Sequence, residues 1–346
     1  MTKENQRTEL NNLGEFGLIR RIREQFPVQQ PSTILGIGDD AAILSPEAGN
    51  QQVVSTDLLL EGIHFDLSFH PLPHLGFKAV AVNISDIAAM NAIPKQITVS
   101  IGLSNRFSLE AVDALMEGIK AACEAYNVDL VGGDTTASAS GLVISITAIG
   151  EAKPEQISRR SGAMVNDIVC CTGDLGGAYM GLQVLLREKE VFKSNPDMQP
   201  DLAKYEYVVG RQLRPNARMD VIHDLRDLGV VPTAMMDVSD GLASELLHIS
   251  HESNLGVVIY EKNLPFTEEM NQTAAEFNIS PITCLLNGGE DYELVFTISQ
   301  EDHEKIKNHP DIHLIGYMAE PDKGKLMVTK AETVIPLKAQ GWDHFS

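Results

Sequence analysis

The sequence predicts a two-domain protein of the α/β class, with an α+β first half. Three observations carry this. The chain has 346 residues, enough for two domains of ordinary size. Both halves alternate short apolar strand runs with stretches of helical periodicity. Between them, AKPEQISRRSGAMVND mixes Pro, Ser, Gly and charge as a junction does. The expected domains are therefore residues 1–152 and 153–346.

The first half opens with LGEFGLIRRIREQF, apolar and charged at helical spacing, an amphipathic helix with a solvated arginine face. Strands follow at Ile34–Ile37 and Val53–Thr56. Leu75 to Met90 reads as a helix, and Ala81, Ile84, Ile87 and Ala88 give it a face suited to close packing. QITVSIGL is a strand. SLEAVDALMEGIKAACEAYN is a helix that Ser108 can cap, with Glu110 and Asp113 in its first turns. VDLVGGDTTAS and LVISITAIGE are β-rich. Read as strand–helix–strand–strand–helix–strand, this half is expected to be a ferredoxin-like sandwich.

In the second half DIVCCTGDLGGAYMGLQVLL is strand, Gly-rich turn, helix. Its glycines suit either a phosphate loop at a helix N-terminus or a tight turn. Residues 187–205 are polar and read as an excursion. RQLRPNARMDVIHDL holds a helix expected to start at its proline. TAMMDVSDGLASELLHIS repeats strand, loop, helix, with Ser239 or Asp240 as a candidate cap. In NGGEDYELVFTIS the acids are expected at the entrance of a strand that buries Leu294 and Phe296. Trp342, the single tryptophan, falls almost at the end, where it suits a docking plug or a lid.

Composition narrows the function. Hydrophobic residues make up 43%, enough for real cores. Lys+Arg 27 against Asp+Glu 48 gives a net charge of −21, which disfavours nucleic acid or an anionic membrane as partner. Anionic substrates remain open, because metal ions can supply positive charge. The N-terminus shows no apolar signal segment, and no apolar run approaches a membrane span, so a cytoplasmic protein is expected. Cys123, Cys170, Cys171 and Cys284 form no CxxC pair and read as buried thiols.

The chemistry lies in a recurrence. LGIGDDAAIL ends in Asp39 and Asp40, and QQVVSTDLLLEGIHFD brings Asp57, Glu61, His64 and Asp66. Asp86 stands among Ala, Ile and Met, where a carboxylate must be paired, protonated or metal-bound. Lys78 and Asn83 are candidate structural partners for it. Asp134, Asp237 with Asp240, and Glu290 with Asp291 and Glu293 repeat the pairing of glycine with acid at element borders. Such a set suits several Mg²⁺ ions gripping a polyphosphate, and phosphoryl transfer needs positioning and charge neutralisation above all. The P-loop GxxxxGK[ST], HExxH and GxSxG are absent. GIGDDAA fits a dinucleotide loop only superficially, since Asp39 and Asp40 would repel a pyrophosphate.

LGIGDDAAIL, STDLLLEGIHF, KAVAVNISDIAAMNAIP, VGGDTT, SRRSGA, TGDLGGA, MMDVSDGLASEL, NGGEDYELVFT and GWDHF closely resemble the thiamine-monophosphate kinase family. That family sits within the aminoimidazole-ribonucleotide-synthetase-like ATP-binding superfamily, and the resemblance covers nearly the whole chain. It implies a two-domain PurM-like fold and a homodimer whose N-terminal domains share a β-barrel. It implies transfer of the ATP γ-phosphoryl group to thiamine monophosphate, giving thiamine diphosphate, with several Mg²⁺ ions. By motif, Asp40, Ser55, Thr56, Asp57, Asp86, Asp134, Asp237 and Asp240 match Mg²⁺ ligands. Gly133, Asp134, Arg160 and Ser239 match nucleotide contacts, with Tyr126 near the adenine. His64, Glu290 and Trp342 match contacts to thiamine monophosphate, and no general base is implied.

Rival readings meet specific objections. A selenophosphate synthetase would want an early Cys, but the first is Cys123. A hydrogenase-maturation dehydratase would want a cysteine-bearing tail, but this chain ends His344-Phe345-Ser346. A non-catalytic acidic scaffold would not need acids in every motif.

Overall fold

The computed structural model describes residues 15–37 and 42–339, so Asp39, Asp40 and Trp342 lie outside the described residues. The chain forms two compact units. One runs to Ile87 and resumes at Ile93–Pro154; the other takes Ala88–Ala92 and everything from Glu155.

The first unit contains α1 (Glu15–Gln25), β1 (Thr33–Leu35), β2 (Ile43–Leu44), β3 (Gln51–Leu60), α2 (Leu72–Ala89), β4 (Ile93–Leu103), α3 (Leu109–Tyr126), β5 (Asp129–Ala137) and β6 (Val143–Ala152). Strands β3, β6, β4 and β5 form an open four-stranded sheet in that order. The β3–β6 and β6–β4 pairs are antiparallel; β4 and β5 run parallel, with α3 as their crossover. From β3 onward the order is strand–helix–strand–helix–strand–strand, which corrects the ferredoxin-like expectation. The elements are those expected. What differs is that VDLVGGDTTA pairs alongside β4 before β6 folds back between β3 and β4. No sheet among the described residues closes into a barrel.

Helix α3 begins as expected: Ser108 accepts the Ala111 N–H at 3.4 Å, and Asn127 ends it in the left-handed region at φ 53°. Ala81, Ile84, Ile87 and Ala88 are fully buried along α2. The closest approach lies one turn earlier. A Cβ on Gly76 would sit 2.1 Å from the Leu115 carbonyl, and one on Gly118 1.9 Å from that of Pro73. Two helices meeting backbone to backbone place the α2 side chains firmly against β3, and that fixes Asn83 and Asp86.

The second unit holds β7 (Ile168–Thr172), α4 (Gly177–Ser194), α5 (Glu206–Leu213), α6 (Met219–Asp227), β8 (Ala234–Asp237), α7 (Leu242–Glu252), β9 (Gly256–Tyr260), α8 (Glu268–Glu276), α9 (Pro281–Asn287), β10 (Leu294–Ile298), α10 (His303–Ile306), β11 (Ile312–Ala319), β12 (Lys325–Val328) and β13 (Val334–Pro336). Its seven-stranded mixed sheet runs β13-β12-β9-β11-β7-β10-β8. All of β10 is buried, as is β7 from Val169 to Thr172, so both read as unbroken apolar runs. All four cysteines are buried free thiols, as expected.

Two readings of this half are corrected. Residues 187–194 are the last turns of α4 rather than an excursion. The Arg187 guanidinium lies 5.0 Å from the Tyr205 ring centroid and 4.8 Å from that of Phe277, which ties the end of α4 to the following turn and to the segment after α8. The helix expected to start at Pro215 starts at Met219; Pro215 instead follows the end of α5. The acids of NGGEDYE do precede β10 as expected, and Asp291 and Glu293 are buried there, 0% and 1% exposed.

Candidate functional site

In the first unit the acids gather where β3 meets α2. Successive residues of a strand point to opposite faces. Ser55 and Asp57 point towards α2, and Thr56 points the other way. The Ser55 hydroxyl donates to Asp86 Oδ2. Asn83 Oδ1 accepts the Asp57 N–H at 3.0 Å, and its amide donates to the Ala79 carbonyl at 3.0 Å. Asn83 therefore locks strand to helix rather than pairing with Asp86. Burial raises the Asp57 pKa to about 6, and the Asp86 charge pushes the same way. The Thr56 hydroxyl donates to the Ile146 carbonyl and accepts from Thr147 on the opposite face.

Asp134 is not part of this cluster. Asp57, Ile146, Val99 and Gly133 form one row across the sheet. Asp134 therefore belongs to a strand three spacings away, about 14 Å. Among the described residues no group of three or more His, Cys, Asp or Glu side chains is placed to hold a metal. Ser55, Asp57 and Asp86 stand as a pair of carboxylates and a hydroxyl.

At the β5 side a cavity of about 700 Å³ is lined by Gly132, Gly133, Asp134, Val99 and Met116, with Arg20 and Arg23 from α1. Arg21 anchors α1 through a two-pronged pair with Asp113 of α3, 2.7 Å on each arm. A Cβ on Gly133 would stand 1.8 Å from the Val99 carbonyl, so only glycine permits this approach of β5 to β4. Tyr126 does not line the cavity; its ring packs on Phe77 at 5.9 Å. His64 Nδ1 accepts the Leu60 N–H at 3.0 Å, which leaves the proton of the neutral ring on Nε2. Glu61 pairs with Arg106 at 2.6 Å and accepts the Leu142 N–H, and Asp66 accepts the Ser68 N–H, so both shape the chain around His64.

In the second unit Asp237 ends β8, buried at 7% exposure, and Ser239 and Asp240 form the turn into α7. Neither caps the helix: Gly241, at φ 120°, holds that position without a side-chain bond. Glu245 instead reaches back from the first turn to accept the Asp240 N–H at 3.0 Å. Burial pushes Glu245 up to about 8, opposed by the Asp240 N–H and aided by the charges of Asp237 and Asp240; Arg160 lowers it. Arg160 itself is exposed. The NGGEDYE segment is stitched to this turn. Ser239 O accepts the Glu290 N–H at 2.6 Å, Val238 O accepts the Tyr292 N–H at 2.9 Å, and Val238 donates to Glu293 O at 2.7 Å.

Behind that turn lies a buried charge network. Arg211 and Arg218 each reach the Glu293 carboxylate, at 2.9 and 2.7 Å, and Thr172 donates to it at 2.6 Å. Burial opposes the Arg211 charge, but Glu293, Asp291 and Asp174 more than offset that, and its pKa is raised. Asp291 accepts the Gly176 and Ala178 N–H groups at the start of α4. Of the two meanings open for TGDLGGA, the structure supports the tight turn, its N-terminus already facing a carboxylate.

With this geometry in view, the chain is 37% identical over 339 residues to the thiamine-monophosphate kinase of Bacillus subtilis (strain 168), covering 96% of this chain and 100% of that one. The chain belongs to the thiamine-monophosphate kinase family. A second relative of the same name, from Aquifex aeolicus (strain VF5), is 33% identical over 97% of this chain and 99% of its own. Residues 38–152 also match the profile of AIR synthase related protein, N-terminal domain. Among solved structures, the thiamine-monophosphate kinase of Stenotrophomonas maltophilia K279a superposes with a TM-score of 0.77 at 34% identity, covering 92% of this chain and 98% of that one. A structure described as AaThiL complexed with AMPPCP and TMP gives 0.75 at 30% identity, covering 99% and 100%. The hydrogenase maturation protein HypE in complex with ATP gives 0.73 at 19% identity, a likeness of fold. The thiamine-monophosphate kinase family thus shares this mixed α/β, PurM-like architecture.

Glu245 and Gln212 carry geometry that sequence reading of the family motifs did not single out. An acid in a first helical turn is ordinary, so nothing in the sequence marks Glu245. Asn83 was legible as a candidate partner of Asp86, but not as the link from the Asp57 N–H to the Ala79 carbonyl.

Proposed function

We propose that this chain transfers the γ-phosphoryl group of ATP to the phosphate of thiamine monophosphate, giving thiamine diphosphate and ADP. The observation that carries the reading is the 37% identity to a thiamine-monophosphate kinase across that relative's full length. The relative complexed with AMPPCP and TMP supports both substrates.

The residues fit the reaction. A phosphate monoester has a second pKa of about 6, so the acceptor is largely dianionic near neutral pH and needs no base. One of its oxygens attacks the γ-phosphorus as the bond to the ADP oxygen breaks. The difficulty is bringing two anions together. Crowded carboxylates with Asp57 raised to about 6 are a donor set that a cation relieves, and hard oxygens suit Mg²⁺. Ser55, Asp57 and Asp86 would hold it in the first unit, Asp237 and Asp240 in the second; Asp40, Thr56 and Asp134 complete the proposed set. When bound, Mg²⁺ would neutralise phosphate charge. Gly133, Asp134, Arg160, Ser239 and Tyr126 are proposed as nucleotide contacts. His64, Glu290 and Trp342 are proposed for thiamine monophosphate, where an indole face and a carboxylate both suit the cationic thiazolium.

We also propose a homodimer through the face of the sheet opposite α2 and α3. On it Val54 and Leu58 of β3 are 62% and 52% exposed, and among the described residues β3 is an edge strand ten residues long. Four free buried thiols suit a cytoplasmic site of action. No described helix is long and apolar enough to cross a membrane.

The test is a product assay with ATP, Mg²⁺ and thiamine monophosphate, with free thiamine in parallel. Thiamine diphosphate formed from the monophosphate alone supports the reading. Mg²⁺-dependent ATP binding without product moves the chain to another chemistry on the same fold.

A further inference from the structure

Helix α5 grips the NGGEDYE segment with two adjacent residues. Arg211 takes the inner acids: it pairs with Glu293 at 2.9 Å and donates to the Asp291 carbonyl at 3.2 Å. Gln212 takes the outer one, donating from Nε2 to Glu290 Oε2 at 2.6 Å. Gln212 is 4% exposed, whereas Glu290 is half-buried. A buried amide thus reaches outward to a carboxylate that solvent and ligands can touch.

The Glu290 backbone is already fixed. It sits in the left-handed region at φ 65°, and its N–H is bonded to Ser239 O. A Cβ on the preceding Gly289 would stand 2.4 Å from that same carbonyl, so the segment is pressed against the Ser239 turn. Ordering the three-bond Glu290 side chain has an entropic cost. The Gln212 hydrogen bond contributes to that ordering before any ligand arrives, and α4 fixes Gln212 in turn. Their packing is so close that a Cβ on Gly181 would meet Val208 O at 2.0 Å and Gln212 Cβ at 3.0 Å.

We infer that Gln212 is a positioning residue for the acceptor. It holds the Glu290 carboxylate at the angle from which that group meets the cationic ring of thiamine monophosphate. This rests on the reading of Glu290 given above, and it predicts selective loss of acceptor affinity, because this Gln212 bond falls on the Glu290 carboxylate.

The experiment compares Gln212→Met, Glu290→Gln and the double variant by steady-state kinetics with each substrate varied. Gln212→Met keeps the length and loses the donor. It is expected to raise KM for thiamine monophosphate about tenfold, the loss of a hydrogen bond to a charged group, and to leave KM for ATP within about twofold. The double variant is expected to match Glu290→Gln alone. If Glu290→Gln raises the acceptor KM while Gln212→Met does not, the inference is overturned and the reading of Glu290 stands. If Glu290→Gln leaves the acceptor KM unchanged, the reading of Glu290 falls and the inference with it. Equal losses for both substrates together with a lowered melting temperature show a merely structural role and overturn the inference. Should Gln212→Met not fold, Gln212→Glu serves instead: it sets two carboxylates against each other and is expected to raise the acceptor KM further, and an unchanged value overturns the proposal.

Discussion

The carboxylate of Asp291 occupies the N-terminus of α4, accepting the Gly176 N–H at 2.6 Å. Its other oxygen takes the Ala178 N–H at 3.2 Å. A helix N-terminus attracts anions through its unpaired N–H groups and its dipole. Here the chain supplies the anion itself, from a segment 115 residues away in sequence. Asp291→Ala should cost about 3 kcal/mol in urea unfolding, because two buried donors and part of the Arg211 charge lose their partner. The vacated terminus would then accept a small anion. Phosphate should raise the melting temperature of Asp291→Ala more than that of the parent. Equal responses would mean that Asp291 is not the group holding the terminus.

Asp57 gives a pH dependence of defined sign. Its folded pKa, about 6, lies above the ordinary 3.8, chiefly through burial and then through Asp86. Between those values the folded protein holds a proton that the unfolded chain releases, so stability falls as pH rises through the window. Asp57→Asn removes this cost. Without Mg²⁺ the variant should match the parent below pH 4 and exceed it by about 3 kcal/mol above pH 6. Melting curves across that range decide it: a constant difference at every pH would show that charge on Asp57 is not the cause.

Mg²⁺ should act on the same residue from the other side. A cation bound at Ser55, Asp57 and Asp86 stabilises the folded state by mass action, about 2.7 kcal/mol at a hundredfold excess over Kd. The melting temperature should therefore rise with Mg²⁺, and further when ATP is added. In Asp57→Asn the rise with Mg²⁺ should largely vanish. A full response in that variant would assign the ion elsewhere.

How much of this was legible in the sequence follows from what kind of force places each residue. From β3 onward the helices and strands of the first unit were readable, because apolar periodicity on β3, α2 and α3 is local. Their order in the sheet was not: whether VDLVGGDTT pairs beside β4 or elsewhere depends on a crossover that leaves no local mark. The acids of the motifs were found as a set, but alternation along β3 sends Thr56 to the face opposite Asp57, and β5 lies three strands from β3. The acids of GGEDYE were legible at the entrance of a strand, but the hydrophobic pattern cannot reveal that Arg211 and Arg218, more than seventy residues earlier, arrive to pair with Glu293. Gln212 escaped notice for the same reason: its role is set by one long-range hydrogen bond.

Two glycines make opposite predictions from the same geometry. At Gly133 a methyl group would lie 1.8 Å from the Val99 carbonyl, inside the parallel pairing of β4 and β5. Neither backbone can give way without breaking ladder bonds, so Gly133→Ala should cost about 2 to 3 kcal/mol. It should also distort the cavity that Gly132 to Asp134 line, raising KM for ATP more than KM for thiamine monophosphate. At Gly210, within α5, a methyl group would meet nothing within 4 Å. There alanine only removes the glycine's freedom in the unfolded chain, and Gly210→Ala should stabilise by about 0.5 to 1 kcal/mol. Urea unfolding of the two variants side by side tests both the sheet pairing and the helix. A tolerated Gly133→Ala would mean that β5 does not approach β4 as closely as its register requires, and the nucleotide contacts proposed on that strand would have to be withdrawn with it.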